Sequence, residues 1–219
     1  MESIINFVFF LSSLIISIII HEVAHGWVAY KLGDPTAHLS GRLSFNPLRH
    51  IDQFCSIILP LFLLLSGSGF VFGWAQPVPV DDRYFKKPIR DNLLVSSAGI
   101  IANIILAGFC GTLIRLSSLL GINIISLTLS SFFITLMQVN LILAAFNLLP
   151  IPPLDGSKIF FGWINKPWAE EYLHSPKISL LCIGFIFILL PLTAQVLDFY
   201  NPISIWIYHF VETMTSQLL

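Results

Sequence analysis

Charged side chains are scarce: Asp, Glu, Lys and Arg make up 11% of the 219 residues, less than half of the roughly 25% usual in soluble globular domains. Neither sign dominates, because 11 Lys and Arg stand against 12 Asp and Glu for a formal net charge of -1. A chain without a basic field cannot hold a polyanion, so nucleic acid is excluded as a partner. Cysteine is thin as well. Cys55, Cys110 and Cys182 are odd in number, lie in apolar stretches and lack CxxC spacing, which argues against a disulfide framework and for small core hydrophobes. No Lys or Arg precedes the first apolar stretch and no small-residue cleavage site follows it, so that stretch is expected to remain as the first helix. Internal repeats, low-complexity tracts and linkers are missing too, which leaves residues 1–219 as a single integral-membrane domain.

Apolar residues are what the chain has in plenty, at 56% of the sequence and a mean hydropathy of +0.85. At roughly 20 apolar residues per crossing, several spans fit. The stretches run from Ile4 to about Tyr30, Cys55 to Phe72, Leu93 to Leu120, Ile124 to Leu149 and Ile178 to Leu197, with turn signals at Gly33-Asp34-Pro35 and Gly41, a polar loop expected from Ile164 to Lys177, and an aromatic tail from Pro202. The expected fold is therefore an all-α polytopic membrane protein with about four to six transmembrane helices. Basic residues sit in the segments 31–54, 73–91 and 150–177, which are expected to be cytoplasmic; the N-terminus, the turn near residue 121 and the tail are expected outside. Both flanks of Cys55–Phe72 would then lie on one face. That short, glycine-studded piece is expected to enter and leave as a re-entrant or interfacial segment, and the polar stretch before it has room for a short β-hairpin with edge strands in 36–46.

The sequence HEVAH, His21 to His25, follows directly on the run LIISIII. Positions i and i+4 share one helix face, so both imidazoles can turn toward one metal ion, and Glu22 beside them can reach water at that ion. An ionisable group near the bilayer centre costs about 2.5–3.5 kcal/mol on insertion scales, so three neighbouring ones need a compensating partner. One zinc ion per chain would supply it. Two histidines are too few for a catalytic zinc, which usually has three protein ligands.

Asp155 is the best candidate for the third. It stands in NLLPIPPLDG, where Pro150, Pro152 and Pro153 cannot continue a helix and Gly156 permits unusual backbone angles, so the chain unwinds where a carboxylate could be aimed inward. Broken helices at membrane depth ordinarily line a site. Asn103 and Asn140 lie inside apolar stretches, where asparagines commonly bond between helices. His38, His50 and Asp52 read as solvated turn residues. His174 and His209 read as interfacial, with Trp163, Trp168, Trp206 and Tyr208 as an aromatic belt.

At HEVAHGWVAYKLGDPTA, GRLSFNPLRHID, FGWAQPVPV, SAGIIAN and FNLLPIPPLDG, in that order, the chain resembles the site-2 protease family of intramembrane zinc metalloproteases (peptidase family M50), in its compact prokaryotic form without a regulatory domain. The resemblance implies His21, His25 and Asp155 as zinc ligands and Glu22 as catalytic acid and base. It implies a substrate or oxyanion contact at Asn147 and matches Asn103 to the asparagine of the family's GPxxN motif; Asn103 and, from its place in an apolar span, Asn140 are the further candidate substrate contacts. Ile100 replaces the proline of the family's GPxxN motif and Ser157 the glycine that often follows LDG. The implied activity is hydrolysis of peptide bonds in or near transmembrane segments of a membrane-protein or peptide substrate, within a bacterial-type inner membrane and with the site nearer the cytoplasmic face. A non-proteolytic zinc-binding membrane protein or metal transporter is the alternative, although no ladder of acidic or histidine residues continues through the later spans.

Overall fold

Runs of 20 or more apolar residues become helices because a helix satisfies every backbone polar group within itself, which lipid cannot do. The computed structural model describes residues 2–50, 76–119, 127–164, 166–186 and 201–219. Three described helices are long and apolar enough to cross a membrane: α1, Glu2–Leu32; α3, Pro88–Leu119; and α4, Leu127–Asn147. Between the first two lies a short turn of helix, α2, Thr36–Leu39. After α4 come α5, Asp155–Phe161, α6, Pro167–His174, α7, Pro176–Gly184, and α8, Pro202–Leu218.

Contacts fix the directions of the three long helices. Phe9 meets Phe132 and Ser17 meets Asn140, so α1 and α4 run parallel. His21 meets Asn103 and His25 meets Val95, so α3 runs against α1. The C-terminal end of α1, the start of α3 and the end of α4 therefore share one end of the bundle. Apart from Arg115, every Lys and Arg lies in the segments gathered there. Toward the other end, Ala107 and Cys110 of α3 pack with Leu136, Met137 and Leu141 of α4, and α8 lays Phe210, Val211, Met214 and Leu218 over them. Phe7, Phe10, Ile105 and Phe109 remain exposed on the outer faces of α1 and α3, a surface suited to lipid and not to water.

α1 stops where Gly33 adopts φ 111°, in the left-handed region that ends many helices. The loops beyond are pinned by buried polar groups. The Asp34 carboxylate, fully buried, accepts from the Thr36 amide, the Thr36 hydroxyl and the Asp81 amide. Arg42 donates to the Gln76 side chain and to the Gln76 and Pro77 carbonyls. At the surface, hydrogen bonding from the Arg83 guanidinium holds the Asp81 carboxyl below its ordinary pKa. Asp91 accepts the Lys87 amide at 3.0 Å and so ties down the first turn of α3.

Two expectations change. No strand occurs among the described residues, and the hairpin expected in 36–46 is replaced by the helical turn α2 and a 3-10 turn at Pro47–Arg49. Asp34 explains part of this, because its side chain engages Thr36 two residues on and closes a helical turn instead of leaving a strand edge. The polar stretch 165–177 is not all loop: Pro167 starts α6 from its first turn, where a missing amide costs nothing, and Trp168 and Tyr172 clasp Phe161 of α5. The segment Cys55–Phe72, the turn near residue 121 and most of the span expected at Ile178–Leu197 lie outside the described residues.

Candidate metal centre

His21 and His25 are one helical turn apart on the inner face of α1, and they keep only 7% and 9% of their surface exposed. α3 crosses directly over them at Gly99, where a Cβ would stand 2.5 Å from His21 Cε1 and 2.5 Å from His25 Nε2. Glycine is thus what lets the second helix approach the two rings. α3 stays helical through this point, from Pro88 to Leu119.

Asp155 reaches the rings from the other side of the bundle. α4 ends at Asn147, the proline run turns the chain, and α5 begins at Asp155 itself. The turn is closed tightly enough that a Cβ on Gly156 would lie 2.3 Å from the Leu148 carbonyl oxygen and 2.4 Å from that of Leu149. Asp155 Oδ2 comes to rest 3.2 Å from His21 Nε2 and 3.2 Å from His25 Nε2, and the two Nε2 atoms are 3.0 Å apart.

The hydrogen bonds on the far side of each ring decide what this triangle can hold. His21 Nδ1 faces the Asn103 side-chain oxygen at 2.9 Å, and His25 Nδ1 faces the Val95 carbonyl at 2.7 Å. Both acceptors require a proton on Nδ1, which leaves the Nε2 of each neutral ring as a lone pair. Asp155 Oδ2 is buried and receives no hydrogen bond. Three lone-pair atoms at such separations repel one another unless a cation lies between them. Zinc bonds of about 2.0–2.1 Å in tetrahedral geometry place ligand atoms roughly 3.3 Å apart, close to the spacing seen, and two imidazoles with one carboxylate are a donor set of hydrolytic zinc sites. Among the described residues this is the one cluster of three such donors.

A cleft of 330 Å³ opens beside the triangle, bordered by Glu22, Val78, Asn147 and Asp155 among others. Glu22 does not join the donors; its Oε2 accepts the Val78 amide at 2.8 Å, which holds the carboxylate at the cleft wall. Asn147 borders the cleft while its Nδ2 donates to the Leu143 carbonyl. Asn103 lies behind His21, fully buried. Asn140 is not brought to the cleft. Its Nδ2 donates to Ser17 Oγ at 2.8 Å and to the Leu136 carbonyl at 2.8 Å, which locks α4 to α1. His38 stacks on Tyr30 and His50 bonds the Ser44 carbonyl, both away from the triangle. Val78, Val95 and Lys158 are contributors that sequence reasoning did not single out, and Gly99 entered only as part of a motif; the FGWAQPVPV block containing Val78 and the SAGIIAN block containing Gly99 were the signals for two of the four.

Known proteins share this arrangement of sequence. The family model "Peptidase family M50" matches residues 9–126 and 111–191. A Bacillus subtilis (strain 168) protein named "Putative zinc metalloprotease YwhC" is 46% identical over 150 residues, which cover 67% of this chain and 65% of that protein. "Putative zinc metalloprotease Rip2" of Mycolicibacterium smegmatis is 27% identical over 207 residues, 93% of this chain and 74% of that one. Its namesake in the Erdman strain of Mycobacterium tuberculosis is 32% identical over 186 residues, 84% of this chain and 68% of that one. The matched stretch is thus just under two thirds of the Bacillus protein's length. No solved structure matches. The matched residues run through both histidines, the glutamate between them and the carboxylate that joins them from α5, and on that extent of likeness the chain belongs to peptidase family M50.

Proposed function

We propose that the chain is a zinc-dependent endopeptidase that hydrolyses peptide bonds in or near the transmembrane segments of membrane proteins. The observation that carries this reading is the inward-facing triangle of His21 Nε2, His25 Nε2 and Asp155 Oδ2 with Glu22 at the adjoining cleft wall. His21, His25 and Asp155 hold the ion; once bound, zinc supplies Lewis acidity that polarises a peptide carbonyl and acidifies water. Glu22 takes a proton from the attacking water and returns it to the leaving amine as the C–N bond breaks, so the two halves of the substrate leave as a carboxylate and an amine. The Val78 amide orients Glu22 for both transfers. Asn103 and Val95 keep the Nδ1 protons in place and the Nε2 lone pairs turned inward.

A helical substrate must first be unwound, and each peptide group freed without water costs several kcal/mol. Asn147 and the non-helical Pro77, Val78 and Val80 border the cleft and offer polar partners for that strand. The basic segments gathered at the site end support a cytoplasmic orientation of the centre in a bacterial-type inner membrane. Transport of metal finds less support, because the polar groups below the triangle, Asn103, Asn140, Ser17 and Ser13, are neutral amides and hydroxyls.

The test is the purified protein in detergent with a membrane-spanning reporter, wild type beside Glu22→Gln. The variant should retain zinc at one ion per chain and lose cleavage by about 10²–10⁴-fold. Wild-type cleavage by the zinc-loaded variant, or none by zinc-loaded wild type, would overturn the reading.

A further inference from the structure

The metal cleft does not end at the metal. A second cavity, of 470 Å³, adjoins it and is bordered by Asp82, Asn92, Lys158, Glu170 and His174 among others. Val80, Asn92 and Lys158 line both spaces, so these three form the passage between them. The second cavity is built from the 3-10 turn at Asp82–Tyr84, the start of α3 and the α5–α6 segment, all at the loop end of the bundle. A strand leaving the metal toward that end must go by Lys158.

Lys158 is the sole cation bordering the metal cleft among the described residues. It lies three positions beyond Asp155 on α5 and therefore near the same helix face. Its side chain is exposed, and no carboxylate of the described residues lies within ion-pair distance of it. The two carboxylates of the metal cleft face elsewhere, Asp155 toward the space it shares with the two Nε2 atoms and Glu22 to the Val78 amide. Asp82 and Glu170 border only the further cavity. Lys158 is thus a charge at the passage left available to an acidic group of a substrate.

We propose that Lys158 is a specificity-determining residue, and that the paired cavities are a subsite for the loop-side flank of an unwound substrate with an acidic side chain at the position passing Lys158. The inference rests on the peptidase reading above. It accounts for how a site open to many transmembrane helices could select among them, because the loop-side flanks of membrane helices at a cytoplasmic face are enriched in Lys and Arg, which Lys158 would repel.

The experiment separates binding from cleavage. Reporters carrying a single Glu, Ala or Lys at successive loop-side positions are bound to the zinc-loaded Glu22→Gln protein in detergent, with Lys158 intact or changed to Met, Arg or Glu. At one position, Glu should bind about tenfold more tightly than Lys when Lys158 is present. Lys158→Arg should keep this order, Lys158→Met should abolish it and Lys158→Glu should reverse it, with zinc content unchanged throughout. The same reversal should appear in kcat/KM when Glu22 is restored. Reporter preferences that ignore residue 158 at every position would overturn the proposal even if cleavage is normal. Charge-selective binding without any cleavage would leave the subsite standing and remove the peptidase reading instead.

Discussion

Asn103 on α3 sets the orientation of His21 on α1: its side-chain oxygen lies 2.9 Å from His21 Nδ1, so the ring presents Nε2, and not Nδ1, to Asp155. The bond crosses between two membrane helices and is wholly buried, where an unmade partner is costly. Asn103→Ala should weaken zinc binding by about 10–100-fold, the usual effect of removing a group that orients a metal-binding imidazole. Asn103→Asp keeps an acceptor and should lose less. Competition with a chelator of known affinity reads both values, and equal zinc affinity in the alanine variant and wild type would exclude this role.

Gly99 is subject to a different constraint, because space and not hydrogen bonding is at stake. Gly99→Ala places a methyl group against both imidazoles, and the rings can make room only by turning away from Asp155. Zinc affinity should fall at least about tenfold, while helix content by circular dichroism stays at the wild-type level. An unchanged metal titration would show that α3 yields more easily than its packing suggests.

The loop end has its own weak point in Asp34. Asp34→Ala strips the carboxylate from the Thr36 and Asp81 amides and should cost roughly 2–4 kcal/mol, since buried donors lose a charged acceptor. Asp34→Asn keeps one carbonyl oxygen and should cost less. Melting midpoints in detergent should fall in that order; a midpoint unmoved by alanine would mean that the Arg42 contacts hold the loops without it.

What could be read in the sequence divides along the range of the forces involved. HEVAH is local: i and i+4 share a helix face wherever the helix goes, so the pairing of His21 with His25 needed no tertiary knowledge. The turn that delivers Asp155 is also local, being imposed by three prolines and a glycine. Asn103 stood out only as a polar residue in an apolar span, and its partner emerged once α3 was laid against α1. Gly99 and Val78 lay in recognisable blocks, yet their roles could not be read there, since one matters for the atom it lacks and the other through its backbone. Residues 36–46 misled for a related reason: Gly33, Pro35 and Gly41 announce turns, yet whether a helical turn or a strand lies between them depended on the reach of Asp34 to Thr36 and across to Asp81.

The donors come from positions 21, 25 and 155, so the centre draws together regions made far apart in time. A ribosome releases the histidine pair early, on a helix already able to lodge in lipid, and supplies the carboxylate only after α3 and α4 have followed. Until then a nascent chain carries two thirds of a grip on its metal. A chain cut short before residue 155 would therefore carry the histidine pair without the carboxylate that completes the donor set.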